Sequence, residues 1–187
     1  MDVDDIAVGG LATPVGRVTV AVTRAGLADV SWGSDTEMAA RVATRGGPPV
    51  VADPARVGPA LTQLAEYFSG SRRDFDVPVD WRFFSPGQRA VLETLYTTVP
   101  YGASVTYGEL AARSGTGVPA RGIGVPARGI GAIMGSNPVP IVVPCHRVLA
   151  ADGLGGYSGG NGGDGLAVKR WLLTLEGVLP PTLDWAL

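Results

Sequence analysis

The chain has 187 residues, of which 45% are hydrophobic and 17% charged, and its formal net charge is −2. This length and composition predict a globular protein of one large or two small domains and exclude a disordered chain. The sequence has no run of about 18 apolar residues, as a transmembrane helix needs, and its acidic residues 1–5 differ from a secretory signal. We therefore expect a soluble cytoplasmic protein with no membrane partner.

The first half of the chain is predicted to be a small α+β domain. Valines alternate over residues 18–22, and a short turn leads to a second strand over Leu27–Trp32, which predicts a hairpin. Residues 33–54 have no strong period. A helix is predicted over Pro54–Phe68 from the spacing of its apolar residues, and a strand over residues 75–81 from their alternation.

The second half is predicted to be mainly helical. Ser85 opens a capping box with proline at the first helical position, and an apolar stripe follows it. Thr106 opens a second capping box and a short helix through Ala112, and a glycine-containing turn leads to a helix ending near Met134. Two short helices joined in this way are typical of a helix-turn-helix, although many such pairs are only packing motifs. A last amphipathic helix is predicted over residues 165–176.

Charge is distributed unevenly along the chain. The segment from Leu110 to Ala151 contains no aspartate or glutamate, while most acidic residues precede Trp81. This asymmetry favours a nucleic-acid-binding face in spite of the negative net charge, although a chance scatter of charges is the alternative. So few arginines favour reading of groove shape over a broad phosphate clamp. The arginines of the segment are Arg113, Arg121, Arg128 and Arg147.

The only cysteine of the chain, Cys145, directly precedes its only histidine, His146. A thiolate is a strong nucleophile, and a neighbouring imidazole or guanidinium favours it over the thiol. A lone cysteine after an apolar run is more often an inert core residue, and adjacent residues on a strand point to opposite faces. Pro144 predicts a turn that brings both side chains to one site. A single cysteine forms no internal disulfide, and no structural metal is expected.

A seven-residue segment, Gly-Val-Pro-Ala-Arg-Gly-Ile, occurs twice in succession, over residues 117–123 and 124–130. A proline inside a helix costs about 3 kcal/mol but is well tolerated in the first turn. We therefore place Pro126 in the first turn of the second short helix and Arg128 just inside it, so that the first copy becomes an enlarged turn carrying Arg121. Two alternatives stay open, a neutral lengthening of a surface loop and a functional second arginine.

Together these motifs resemble the O6-alkylguanine-DNA alkyltransferases. The resemblance is strong over residues 84–177 and weaker over residues 12–81. It rests on an Asn-Pro-Val-Pro segment, a Pro-Cys-His-Arg-Val pentapeptide, a Gly-Tyr-Ser-Gly-Gly loop and the last helix, which begin at Asn137, Pro144, Gly156 and Leu166. The chain departs from the family in the repeat, since members carry one copy, and in the extra residues 161–165, which would widen or loosen the alkyl pocket.

The resemblance implies a fold of two domains. Residues 1–82 would form a small sheet-plus-helix domain of ribonuclease H-like fold, giving an α+β protein overall. Residues 83–187 would form a mainly helical, winged-helix-like DNA-binding domain that contains the helix-turn-helix and the active site. The implied partner is double-stranded DNA containing O6-alkylguanine, with O4-alkylthymine as a further candidate substrate. No cofactor is needed, and we expect a monomer.

The resemblance also implies the catalytic residues. Cys145 would accept the alkyl group irreversibly, so that each molecule acts once. Glu176 would orient His146, whose imidazole would draw the thiol proton through a bound water. Asn137 would brace the turn that carries Cys145 through hydrogen bonds from its side chain to the backbone. Judged without the family, Glu176 is equally well a solvated acid at a helix end.

Substrate and DNA contacts are implied in the same way. Tyr107 would help to rotate the nucleotide out of the duplex and would give a proton to the leaving base, and Arg128 would fill the gap left behind. Without the family, a core tyrosine and an ordinary phosphate contact would be the simpler interpretations. Backbone groups of Cys145, Val148 and Ser158 would read the guanine edge, and Tyr157 would wall the pocket. Further DNA contacts are expected at Gly108, Thr116, Arg121 and Ala151.

Three other functions compete with stoichiometric repair. An alkyltransferase-like protein binds the lesion without transfer, but that class replaces the cysteine, which is present here. A cysteine hydrolase would use Cys145 and His146 with multiple turnovers, whereas the repair protein accepts one alkyl group per chain. A plain helix-turn-helix regulator needs no nucleophile and usually requires a dimer.

Overall fold

The computed structural model describes residues 5–115 and 127–181, and its first half is built on a four-stranded sheet. The strands are β1 (Ile6–Thr13), β2 (Gly16–Val22), β3 (Leu27–Trp32) and β4 (Val50–Val51), arranged in the order β3-β2-β1-β4. The first three form an antiparallel meander, and β4 pairs in parallel with β1.

Two helices accompany this sheet, α1 (Asp35–Thr44) and α2 (Pro54–Phe68). Ser34 and Glu37 form a capping box that begins α1. Asp53 caps α2, which has proline at its first position and packs against β1 and β2. The sheet and α2 thus enclose the core of this half.

The predicted hairpin and α2 are confirmed, and β1, α1 and β4 are elements that the sequence did not indicate. The predicted strand over residues 75–81 is wrong. Only Val79 forms a β-bridge there, to Leu27, and Trp81–Phe83 form a 3-10 turn that the side chain of Asp80 caps. Pro78 has no N–H to donate, so the segment pairs with Leu27 through one carbonyl and one amide and then turns away.

The second half is mainly helical, as predicted, with α3 (Pro86–Thr98), α4 (Tyr107–Arg113), α5 (Ala127–Gly135) and α6 (Gly165–Leu175). The two predicted capping boxes open α3 and α4, and both of these helices contact α5. A short parallel pair joins β5 (Val105–Thr106) to β6 (Val148–Leu149). Gly177, in the left-handed region with φ of 76°, follows the end of α6. The described architecture is the predicted α+β fold.

One hydrophobic cluster extends through both halves of the described chain, from the sheet and α2 to α3 and α6. Leu27, Tyr67, Leu92 and Leu172 are at most 1% exposed within it. The two halves therefore share an interior. None of the helices in the described ranges combines the length and apolar composition that a bilayer crossing requires.

The shared core predicts a large stability effect at Leu92, which is fully buried in α3. Leu92→Ala is expected to lower the free energy of unfolding by about 2 to 5 kcal/mol, because it removes buried methyl groups and leaves a cavity. Urea denaturation would measure the change. Leu166→Ala, at a side chain that is 54% exposed in α6, is the matched control and should change stability by less than about 0.5 kcal/mol. Equal effects would contradict the shared core.

Candidate active site

Cys145 begins a 3-10 turn, Cys145–Arg147, that follows a tightly braced loop. The side chain of Asn137 donates to the carbonyl of Val143 at 2.9 Å and accepts from the amide of Val139 at 3.1 Å. Ile141, between these two points, has a φ of 75°, which is costly for a β-branched residue. The loop is thus held in a strained conformation by the Asn137 side chain and by burial.

The thiol of Cys145 is buried, with 4% of the residue exposed. Burial raises the pKa of this thiol to about 11, against the opposing effects of a hydrogen bond from Asn137 and the positive charge of Lys169. At neutral pH the side chain is therefore a protonated thiol. Its use as a nucleophile requires a base that removes the proton during the reaction.

His146, which follows Cys145 in the chain, forms a buried pair with Glu176. Nε2 of His146 lies 2.8 Å from Oε1 of Glu176, and both side chains are fully buried. Burial lowers the pKa of His146, in spite of the opposing effect of Glu176, so the imidazole is neutral near pH 7. A neutral imidazole that donates Nε2–H to the carboxylate has a basic Nδ1, and this atom is buried and makes no hydrogen bond within the described structure.

The carboxylate of Glu176 takes part in four hydrogen bonds. It accepts from Nε of Arg147 at 2.8 Å, from Nη2 of Arg147 at 3.0 Å and from the hydroxyl of Tyr67 at 2.7 Å, in addition to His146. Burial alone would raise the pKa of Glu176, but hydrogen bonds from His146 and Arg147, together with the positive charge of Arg147, lower it to about 2. The acid at the helix end is therefore a buried anion, not a solvated one.

The arginine of the pentapeptide has a different role from the one its sequence position suggested. Arg147 is 6% exposed, and its guanidinium also donates to the carbonyl of Val99 at 2.7 Å. It cannot contribute to a DNA-binding face while it is buried against Glu176. Arg147 therefore does not belong with the arginines between Leu110 and Ala151 that favour a DNA-binding face, because sequence does not reveal which charges are paired internally.

Lys169 in α6 is a second buried cation that the sequence analysis missed. It is 0% exposed, and its Nζ donates to the carbonyl of Val148 at 2.7 Å and to that of Gly156 at 3.0 Å. Burial lowers the pKa of Lys169 to about 8, with a partly compensating effect of Cys145. The ammonium ties β6 to the loop that contains Tyr157. In the sequence, Lys169 stands between the apolar residues Val168 and Leu172 of α6, and nothing in that pattern indicates this contact.

A cavity of about 300 Å³ opens next to Cys145. Burial raises the pKa of Tyr107, whose ring lines this cavity, so the phenol keeps its proton at neutral pH. The Ser158 hydroxyl donates to the carbonyl of Gly135 at 3.1 Å, which connects the glycine-rich loop to α5. The cavity thus brings together residues of α4, α5, the pentapeptide and the loop. Its lining comprises Tyr107, Gly131, Met134, Gly135, Cys145, Gly156, Tyr157 and Ser158.

Tyr157 separates this cavity from the first half of the chain. Its ring is T-shaped against Trp32 of β3, with centroids 6.2 Å apart. The extra segment 161–165 ends against the same loop, because a Cβ at Gly165 would lie 2.2 Å from the carbonyl oxygen of Tyr157. The sheet and the start of α6 therefore fix the wall of the cavity from outside.

The predicted DNA contacts are only partly within the described ranges. Gly108 is exposed at the second position of α4, and Ala151 is exposed in the turn after β6. Arg128 is the second residue of α5, in the first helical turn as expected. Arg121 and Thr116 lie outside the described residues. Pro126, predicted in the first turn of this helix, lies outside them too.

Comparison with known proteins gives a consistent result. The family model described as 6-O-methylguanine DNA methyltransferase, ribonuclease-like domain, matches residues 7–81, and that described as 6-O-methylguanine DNA methyltransferase, DNA binding domain, matches residues 86–178. The methylated-DNA–protein-cysteine methyltransferase of Mycolicibacterium paratuberculosis is 41% identical over 125 residues, 66% of this chain and 67% of that protein. The one from Methanopyrus kandleri is 46% identical over 119 residues, 63% of this chain and 78% of that protein.

Solved structures extend the likeness to nearly the whole chain. The crystal structure of Mycobacterium tuberculosis OGT in complex with DNA superposes with a TM-score of 0.70 at 34% identity, covering 92% of this chain and 93% of that one. The O6-methylguanine-DNA methyltransferase from Pyrococcus kodakaraensis superposes with a TM-score of 0.60 at 26% identity, covering 92% and 99%.

The buried anion predicts a pH-dependent stability effect. Glu176→Gln should lower the free energy of unfolding at neutral pH by about 3 to 5 kcal/mol, because it leaves Arg147 buried without a charged partner. The native pKa of Glu176 is depressed from 4.5 to about 2, so its stabilisation is present above pH 4.5 and is lost as the pH falls toward 2. Urea denaturation at several pH values should therefore show the difference between wild type and variant shrinking over that range.

The control for this experiment is Glu93→Gln, at an exposed carboxylate paired with Arg89. Exposed pairs contribute little, so this variant should differ little from wild type throughout. A difference for Glu176→Gln that stays constant with pH would contradict the assignment of Glu176 as a buried anion.

Proposed function

The chain belongs to the family of methylated-DNA–protein-cysteine methyltransferases, which act in DNA repair, and on this premise we propose that it transfers one alkyl group irreversibly from O6-alkylguanine in duplex DNA to its own Cys145. O4-alkylthymine is the second substrate of the proposal. The observation that carries the proposal is the buried thiol of Cys145 beside the neutral His146, whose Nε2 is bound to the Glu176 carboxylate.

The proposed reaction starts from the protonated thiol. His146 takes the thiol proton on Nδ1, through a bound water, and the resulting imidazolium is stabilised by Glu176. The thiolate then attacks the alkyl carbon in line, forming the S–C bond while the C–O6 bond breaks and its electron pair goes to guanine. The product is a thioether, which has no acidic proton and is not hydrolysed, so the molecule acts once.

Tyr107 and the cavity complete the proposal on the substrate side. The phenol, protonated at neutral pH, donates a proton to the departing guanine anion and later recovers one from the imidazolium or from solvent. Backbone groups of Cys145, Val148 and Ser158 bind the guanine edge. A carbonyl has two lone pairs, so the Val148 oxygen can bind a base amino group while it accepts from Lys169.

The lesion lies inside a stacked duplex, so the reaction requires the nucleotide to be rotated into the cavity. We propose that Arg128 of α5 fills the resulting gap and that Gly108 and Ala151 contact the DNA backbone. The contacts proposed for Thr116 and Arg121 follow from the resemblance alone. The residues matched by the two family models support a division into residues 1–82 and 83–187. We also propose that the protein is a monomer and lies in the cytoplasm, where reducing conditions keep the thiol free.

Lesion binding without transfer is the alternative function. It is disfavoured because Cys145 is present together with a neutral base and a buried carboxylate, which binding alone does not need. A cysteine hydrolase would have the same nucleophile. It differs in outcome, since it releases many products per molecule.

Intact mass measurement after incubation with duplex O6-methylguanine DNA tests the function. One added methyl group per chain, on Cys145, is expected, and Cys145→Ser should abolish the addition while leaving binding to the same duplex. Because serine preserves the shape of the site, binding serves as the control for folding. Multiple turnovers, or transfer by the serine variant, would contradict the proposal.

The repeat is tested by comparing its two arginines. Arg128→Ala should strongly slow repair of duplex DNA, where a gap must be filled, but spare reaction with free O6-benzylguanine, where no nucleotide is rotated. Arg121→Ala should mainly weaken DNA binding, and this effect should fade at high salt because exposed phosphate contacts are screened. Single-turnover rates and binding titrations would measure both.

Deletion of residues 117–123 is the matched control, because it leaves one copy of the segment. It should give a folded and active protein. If Arg121→Ala proves more damaging in duplex repair than Arg128→Ala, the first copy supplies the functional arginine and the second is the insertion.

A further inference from the structure

Tyr67 lies near the end of α2, in the half of the chain that precedes the predicted DNA-binding domain. Its ring is 0% exposed and is held by three aromatic neighbours, Phe68, Phe75 and Tyr101, at centroid distances of 5.5, 5.4 and 6.2 Å. This packing, from both halves of the chain, leaves the ring little freedom and so fixes the position of its hydroxyl.

The hydroxyl of Tyr67 donates to Oε1 of Glu176, 109 residues away in sequence, at 2.7 Å. The same oxygen accepts from Nε2 of His146 at 2.8 Å and from Nη2 of Arg147 at 3.0 Å. Tyr67 and His146 therefore share one acceptor atom. A change in the charge on that oxygen, or in its position, is felt directly by the imidazole.

We propose that Tyr67 is a positioning residue of the proton relay, which orients the Glu176 carboxylate and tempers its attraction for the His146 imidazolium. The inference rests on the proposed function, since it assigns a role within the same relay. It extends the active site into the N-terminal half, which would then contribute to chemistry as well as to stability.

The physical reason lies in the electron density on Oε1. Each donor on that oxygen draws off part of its negative charge, so the tyrosine hydroxyl weakens the hydrogen bond that the carboxylate accepts from a protonated imidazole. Removal of the hydroxyl leaves Glu176 still ionised by Arg147 but more strongly attractive to His146. The pKa of His146 should then rise.

Several charged and titratable groups face this pair. Arg147 and Lys169 provide positive charge, and the tyrosines near Glu176, which include Tyr101 and Tyr157, keep their protons because burial raises their pKa. Lys169 titrates at about 8 and the Cys145 thiol at about 11, so neither governs the acid side of a pH profile. Loss of activity toward acid pH therefore reports protonation of His146.

Tyr67→Phe is the test, because it removes one oxygen atom and keeps the ring. The measurement is the single-turnover rate of alkyl transfer from free O6-benzylguanine as a function of pH, with unfolding midpoints as the check on folding. We expect the acid limb of the profile to move to higher pH by about half a unit or more. The rate on the plateau should fall by less than about tenfold.

Three further variants make the result specific. Glu176→Gln removes the negative charge and should move the limb in the opposite direction, to lower pH. Tyr101→Phe removes a partly buried hydroxyl that donates to the carbonyl of Leu175 at 2.8 Å and not to the Glu176 carboxylate, so it should not move the limb. Site-specific 3-fluorotyrosine at position 67, a stronger donor, should shift it to lower pH, and this variant replaces the test if Tyr67→Phe does not fold.

Failure of the relay and failure of the role of Tyr67 give different results. If His146→Ala and Glu176→Gln leave the rate and its pH dependence unchanged, the relay of the proposed function fails. If Glu176→Gln moves the limb while Tyr67→Phe does not, or if Tyr101→Phe moves it equally, the relay stands and the role of Tyr67 is overturned. A plateau rate that falls without any shift of the limb would indicate packing alone and would also overturn it.

Discussion

The site depends on the hydrogen bonds and the ion pair of the buried Glu176 carboxylate. This carboxylate accepts four hydrogen bonds, from three residues that belong to α2 and to the 3-10 turn of the pentapeptide. A buried anion is costly unless its charge is balanced and its lone pairs are used, and here Arg147 balances it. The carboxylate therefore joins the end of α6, the cysteine turn and the N-terminal half, because displacement of any of them would leave a buried polar or charged group without one of its partners.

Burial also decides the protonation state of the candidate nucleophile, Cys145. In many reactive cysteines a lowered pKa supplies the thiolate in advance, whereas the surroundings of Cys145 raise the pKa of the thiol to about 11. A protonated thiol is a weak nucleophile, so Cys145 needs a base before it can react. Such a resting state suits the single transfer proposed above, since each unproductive reaction would use up a molecule.

The N-terminal half, although remote in sequence from the cysteine, reaches the site at two points. Trp32 supports Tyr157 at the wall of the cavity, and Tyr67 reaches Glu176 from α2. Both contacts are side-chain contacts through a shared hydrophobic core, which gives them fixed geometry. This half is therefore structurally coupled to the cavity and is more than a neighbouring domain.

Local sequence determined a large part of the protein. Capping boxes at Ser85 and Thr106, the period of α2 and the alternation of the hairpin are short-range signals, and the structure follows them. The pentapeptide with its flanking motifs also indicated the family and the candidate nucleophile. Where tertiary contacts compete with local pattern, as at Pro78 and Asp80, the alternation of residues 75–81 was a poor guide to the backbone.

Only the tertiary structure decided which polar side chains meet. Glu176 could equally have been a solvated acid at a helix end, Arg147 a phosphate contact and Tyr67 a core aromatic, because helical spacing reveals the buried face but not the partner across it. Lys169 was hidden for the same reason, in a helix whose pattern indicates packing alone. Hydrogen bonds between residues 109 positions apart arise from the way whole elements pack, and no local pattern in the chain encodes them.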